Sequence, residues 1–130
     1  MEQDPNTTTP LLILAACPVD SRPQGAPRLW GGLKIKIIPD SLAFHIYHSS
    51  RIEETFTCNY ELNPVYRGTL ENTGLKVSGT SEDGGARIIE LPDHRFFLAT
   101  GFVPQLSSEE TRPHPLIVAY LEAAIKQARD

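Results

Sequence analysis

Cys17 and Cys58 are the only two thiols in the chain, and a thiolate is the side chain best suited to attack an amide or ester carbonyl. Such a nucleophile needs a base within reach. Neither cysteine has a histidine beside it in sequence, so folding would have to bring one. Cys58 falls on the apolar face of a strand pattern, where a thiol behaves as a small inert hydrophobe. Cys17 borders a loop and is the more accessible of the two. His45 and His48 are close enough to share a helix face, but no third ligand accompanies them. They read as surface histidines, and no metal or cofactor is expected. His94 sits in a Pro-Asp-His turn. His114 precedes Pro115 and reads as a helix cap. Glu61 and Glu90 lie on strand patterns, where an inward carboxylate can serve as acid or base and an outward one is merely solvated. Thr57, Asn59 and Glu61 form a polar strand face beside Tyr60. That face could hold a small amide or carboxylate, with a solvated surface as the plain alternative.

The elements that would position these groups follow from patterning. Residues 1–10 (MEQDPNTTTP) are polar and proline-broken, a flexible tail ahead of a domain spanning 11–130. LLILAA (11–16) reads as a buried strand, and 18–32 has loop composition. LKIKII (33–38) alternates apolar residues with Lys34 and Lys36, as a half-buried strand does. LAFHIYH (42–48) alternates like a strand, although Asp40 or Ser41 could cap a short helix. TFTCNYEL (55–62) reads as one strand. Asn63-Pro64 then serves as N-cap and first helical residue, and Gly74 as the stop. LKVSGT (75–80) and ARIIEL (86–91) flank SEDGG as a hairpin. FFLATGF (96–102) is mostly apolar and reads as a central strand covered on both faces. A last helix opens at Pro115, with Ile117, Leu121, Ala124, Ile125 and Ala128 on one face.

Composition narrows the function classes. A chain of 130 residues suits one domain with one core. The net charge is −4 with acids and bases interspersed, and no basic cluster suggests nucleic acid. No apolar run approaches the roughly 20 residues that span a bilayer. Glu2 and Asp4 precede LLILAA where a secretory signal wants positive charge, so the expectation is a cytoplasmic protein with free thiols.

From Asn59 to the final helix the text resembles the C-terminal half of a class I glutamine amidotransferase domain, closest to the glutaminase domain of CTP synthase. The resemblance rests on YELNP (60–64), GLKVSGTSEDGGARIIELPDHRFF (74–97), ATGFVPQ (99–105) and RPHPL (112–116), taken in order and at family spacing. It implies an α/β fold: a partial amidotransferase-like mixed sheet, mostly parallel in the complete domain, with flanking helices and a β-hairpin. In that family a cysteine attacks the side-chain amide of glutamine, a histidine acts as base, and a glutamate orients it. The family's Phe-His-Pro-Glu corresponds here to Phe102-Val103-Pro104-Gln105. Val103 therefore stands for the base and Gln105 for the orienting carboxylate. An isopropyl group takes no proton, and a neutral amide cannot support an imidazolium. No Gly-x-Cys-x-Gly elbow occurs in the sequence, and Asn59 replaces an arginine expected to meet glutamine. The resemblance thus implies a binding or accessory domain without glutaminase chemistry. Two alternatives stand beside it. One is a small enzyme of different chemistry in the old pocket, with Cys58, Tyr60, Glu61, Gln105 and His114 as candidates. The other is a subunit whose sheet is completed by a second copy or a partner chain, with LLILAA as a further substitute for a missing strand.

Overall fold

The computed structural model describes residues 6–14, 31–57 and 60–129. Cys17, Cys58 and Asn59 lie outside the described residues, as does the first part of the polar tail. In chain order the elements are β1 (Leu12–Leu14), β2 (Gly31–Ile37), α1 (Leu42–Tyr47), β3 (Arg51–Phe56), β4 (Tyr60–Leu62), α2 (Arg67–Glu71), β5 (Lys76–Ser81), β6 (Ala86–Glu90), β7 (Leu98–Thr100) and α3 (Pro115–Arg129). Short 3-10 turns precede α2 at Pro64–Tyr66 and follow β7 at Pro104–Ser107.

Five strands form one sheet in the order β3-β2-β5-β6-β7, and β1 pairs with β4 apart from it. Every ladder among the described residues is antiparallel. The alternation of β2 turns Ile35 and Ile37 inward and leaves Lys34 and Lys36 in water. Those isoleucines join Ala43 of α1, Ile88 of β6, Phe102 and Leu116 of α3 in a single buried cluster. Helices α1 and α3 thus close one face of the sheet. The sheet also curls, since Val103 N–H just after β7 donates to Thr55 O on β3 at 3.1 Å.

The β5–β6 hairpin forms as its sequence predicts. Gly84 supplies the positive φ of the turn (87°), and Gly74 the positive φ (91°) that ends the α2 turn. Asn63 accepts from Val65 N–H at 3.1 Å ahead of Pro64, again as expected.

One open alternative is resolved and other expectations are corrected. LAFHIYH, left between strand and capped helix by the sequence, is the helix, because two acceptors gather at its start. Ser41 Oγ accepts from Phe44 N–H at 3.0 Å. The Glu90 carboxylate, reaching from β6, takes Leu42 N–H at 3.0 Å and Ala43 N–H at 2.7 Å. Capping from a distant strand outweighs the local alternation. The stretch 55–62 divides between two strands, β3 ending at Phe56 and β4 starting at Tyr60. LLILAA does give a strand, but an uncovered one: Leu11, Leu12 and Leu14 are exposed, and β1 pairs with β4 rather than extending the large sheet. FFLATGF is not central. Only Leu98–Thr100 is strand, it lies at the sheet edge, and Phe97 and Ala99 face water.

Candidate functional site

Two neighbouring regions could carry function, one polar and sealed, the other apolar and open. The sealed one gathers where β3, α1 and the start of α3 meet. Glu54 occupies an inward position of β3 and is 5% exposed. Its Oε1 accepts from Tyr47 OH of α1 at 2.6 Å and lies 2.8 Å from His114 Nε2. His114 Nδ1 accepts from Leu116 N–H at 3.2 Å, capping α3 from inside. A nitrogen that accepts has no proton, so Nε2 carries it and donates to Glu54. Burial, then the adjacent Glu54 carboxylate, pushes the Tyr47 hydroxyl far above its ordinary pKa, which keeps it a donor. Glu54 Oε2 has no hydrogen-bond partner among the described residues. With every member buried or half-buried and turned inward, this cluster fixes helix α3 to the sheet and presents nothing to a solute.

The open region is a groove of about 640 Å³ between β7 and α3. Phe96, Leu98, Thr100 and Phe102 form one wall, Leu116, Ile117 and Tyr120 the other, and Val103, Pro104 and Gln105 the end. Among these side chains none is a histidine, cysteine, carboxylate, lysine or arginine. Thr100 Oγ1 is already committed, donating to Phe102 O at 2.9 Å. The groove can hold an apolar body and offers no group that takes or gives a proton near neutrality.

The remaining sequence candidates scatter. Glu61 is held by Arg87 Nη2 at 2.8 Å in a largely buried ion pair. Arg87 Nε also donates to Ser81 Oγ at 3.0 Å, and Ser81 donates to Asp83. That hydroxyl bond, helped by Gly85 N–H and by Arg87, lowers the Asp83 pKa against a smaller opposing effect of burial. Glu61 is therefore a structural anchor between β4 and the hairpin. Glu90 is spent on α1. Thr57 and Tyr60 are half-buried, on either side of the undescribed pair. His45 and His48 are exposed, and His94 is exposed against Phe97 in its turn. No group of three metal-ligating side chains occurs among the described residues. Sequence reasoning missed Tyr47 and Glu54. The signal was present in RIEETF, where Glu54 shares the inward face with Ile52 and Phe56.

No protein-family model matches the chain. It is 39% identical over 125 residues to the CTP synthase of Nostoc punctiforme, a match covering 95% of this chain and 23% of that protein. Against the CTP synthase of Chlamydia muridarum the identity is 36% over 126 residues, covering 96% and 23%. The chain therefore spans about a quarter of the length of these curated relatives. Its fold superposes on the glutaminase domain of Trypanosoma brucei CTP synthase, solved with bound acivicin, at a TM-score of 0.82 and 27% identity. That match covers 93% of this chain and 48% of the other. This is a glutamine amidotransferase-like fold. In the amidotransferase-like domain seen here, Val103 and Gln105 both lie at the end of the open groove, and the buried histidine is His114, just ahead of helix α3. No helix among the described residues is long and apolar enough to cross a membrane.

Proposed function

We propose that this chain is a non-catalytic glutamine amidotransferase-like domain, a binding or accessory module that does not hydrolyse glutamine by itself. The observation that carries this reading is the groove lining. Val103 and Gln105 stand where the family resemblance implies base and orienting carboxylate, and among the described residues no side chain lining the groove replaces either function. Glutamine hydrolysis needs a nucleophile, a proton acceptor for it, and a proton donor for the leaving ammonia. Of the two histidines nearest in sequence, His94 lies outside the groove lining in its exposed turn with Nδ1 3.1 Å from Phe96 O, and His114, 3% exposed, has both ring nitrogens engaged and is not available for transfer. Ligands of the groove would be apolar, with the Gln105 amide as the polar handle at its rim.

The test is ammonia release from L-glutamine by the purified chain and by a Val103→His/Gln105→Glu variant. Wild type is expected at the buffer rate. Turnover by the wild type overturns the proposal. The variant reports whether the two positions alone suffice, and it is expected to stay silent because the described lining of the groove contains no thiol.

A further inference from the structure

The face of the sheet turned away from α1 and α3 carries a charge pattern that only the fold creates. Ile35 and Ile37 of β2 point into the core, so Lys34 and Lys36 point away from it. Pairing of β2 with β3 sets Lys36 directly opposite Arg51, and Lys34 directly opposite Glu53. Like charges directly opposite each other destabilise a sheet. Nothing among the described residues relieves them: Lys34, Lys36 and Arg51 take part in no ion pair there. The Glu53 carboxylate lies over Gly32 rather than pairing with Lys34, and a Cβ on Gly32 would stand 2.6 Å from its Oε1.

The three cations line a cavity of about 420 Å³, together with Glu53 and Glu82. The chain as a whole is acidic, with a net charge of −4, so three unpaired cations in one cavity run against its overall field. Residues two apart on a strand are separated by about 7 Å, and directly opposed residues by about 5 Å. Flexible cationic side chains rooted at that spacing can converge on one small anion that bears more than one charge. A guanidinium fork and two ammonium groups suit phosphoryl oxygens. Glu53 and Glu82 border the cavity with negative charge and repel a long polyanion, which restricts the occupant to a compact one. We infer that Lys34, Lys36 and Arg51 form a binding site for a small ligand bearing a diphosphate group. The site lies on the far face of the sheet from α3 and shares no residue with the groove, so it goes beyond the catalytic reading.

The test titrates the chain with inorganic pyrophosphate by calorimetry at fixed low ionic strength, and repeats the titration in added sodium chloride. Saturable 1:1 binding is expected, weaker in the added salt. Inorganic phosphate should bind more weakly than pyrophosphate. Lys36→Gln/Arg51→Gln should weaken pyrophosphate binding by about tenfold or more. The same variant should not lower the unfolding midpoint, because it removes two opposed like charges. Glu53→Gln/Glu82→Gln should tighten binding. Lys126→Gln/Arg129→Gln removes two cations at the far end of α3 and should leave the affinity unchanged. Three results overturn the inference. The first is no saturable pyrophosphate binding at low salt. The second is equal weakening by the two variants that each remove two cations, which would mean attraction by net charge alone. The third is a lowered midpoint in Lys36→Gln/Arg51→Gln, which would assign that pair to stability. None of these outcomes bears on ammonia release, so failure here is separable from failure of the catalytic reading.

Discussion

The two ends of α3 make the instructive comparison. Its first turn is held by a buried polar cluster, in which His114 joins the helix to Glu54 and Glu54 joins it to Tyr47. Its later turns touch the core little and leave an apolar stripe in water. One end is specified by buried hydrogen bonds, and the other by an apolar pattern of which Tyr120 meets the Phe96 ring edge-on while Leu121 and Ile125 stay half-exposed. Stability should therefore concentrate at the first end.

The largest effect is expected at the anchored end. His114→Ala removes the internal cap and leaves the Glu54 carboxylate buried beside only Tyr47. A loss of about 3 kcal/mol in urea-induced unfolding is the expected outcome. A loss below about 1 kcal/mol would show that the cluster does not anchor α3. Next comes close packing between the hairpin strands. A Cβ on Gly79 would sit 2.7 Å from Ile88 Cγ1 and 2.8 Å from its Cδ1, so Gly79→Ala should cost about 2 kcal/mol in the same measurement. Ser41→Ala, which removes the α1 cap while Glu90 still holds two amides, should cost about 1 kcal/mol.

The smallest stability effect concerns acid. The Asp83 pKa is lowered in the folded chain, chiefly by the Ser81 hydroxyl. A depressed carboxylate contributes stability above its unfolded value, near the ordinary 3.8, and loses it as pH falls through the folded value. Asp83→Asn should therefore lower stability slightly at neutral pH, where that contribution is fully present, and converge on the wild type as pH falls below about 4, which flattens the acid limb of the profile. Unfolding midpoints measured from pH 2 to pH 7 would reveal an unaltered slope if this is wrong. By contrast with all of these, substitutions in the exposed α3 stripe should shift stability by less than about 0.5 kcal/mol.

The sequence was most legible where structure is local. The β5–β6 hairpin, the Asn63-Pro64 helix start and the Pro115 helix start each depend on residues a few positions apart, and each formed. Residues 42–48 stayed undecided between strand and Ser41-capped helix because the second cap comes from Glu90, which lies 47 positions beyond Ala43. FFLATGF misled because apolar content measures what a strand would bury, and its neighbours decide whether it does. The same holds for LLILAA. In the candidate site, Val103 and Gln105 were legible as identities, and the resemblance assigned them meaning. The sealed cluster was not legible, since a tyrosine, a glutamate and a histidine spread over 67 positions meet only through the fold.

The central claim is that an amidotransferase-like fold here holds a groove with no proton-transferring group among its described lining residues. The most direct measurement is ammonia production from L-glutamine at neutral pH by the purified chain, compared with its Cys17→Ser/Cys58→Ser variant. The account predicts that both match the enzyme-free rate. Ammonia that increases in proportion to the amount of chain and disappears with the cysteines would contradict it.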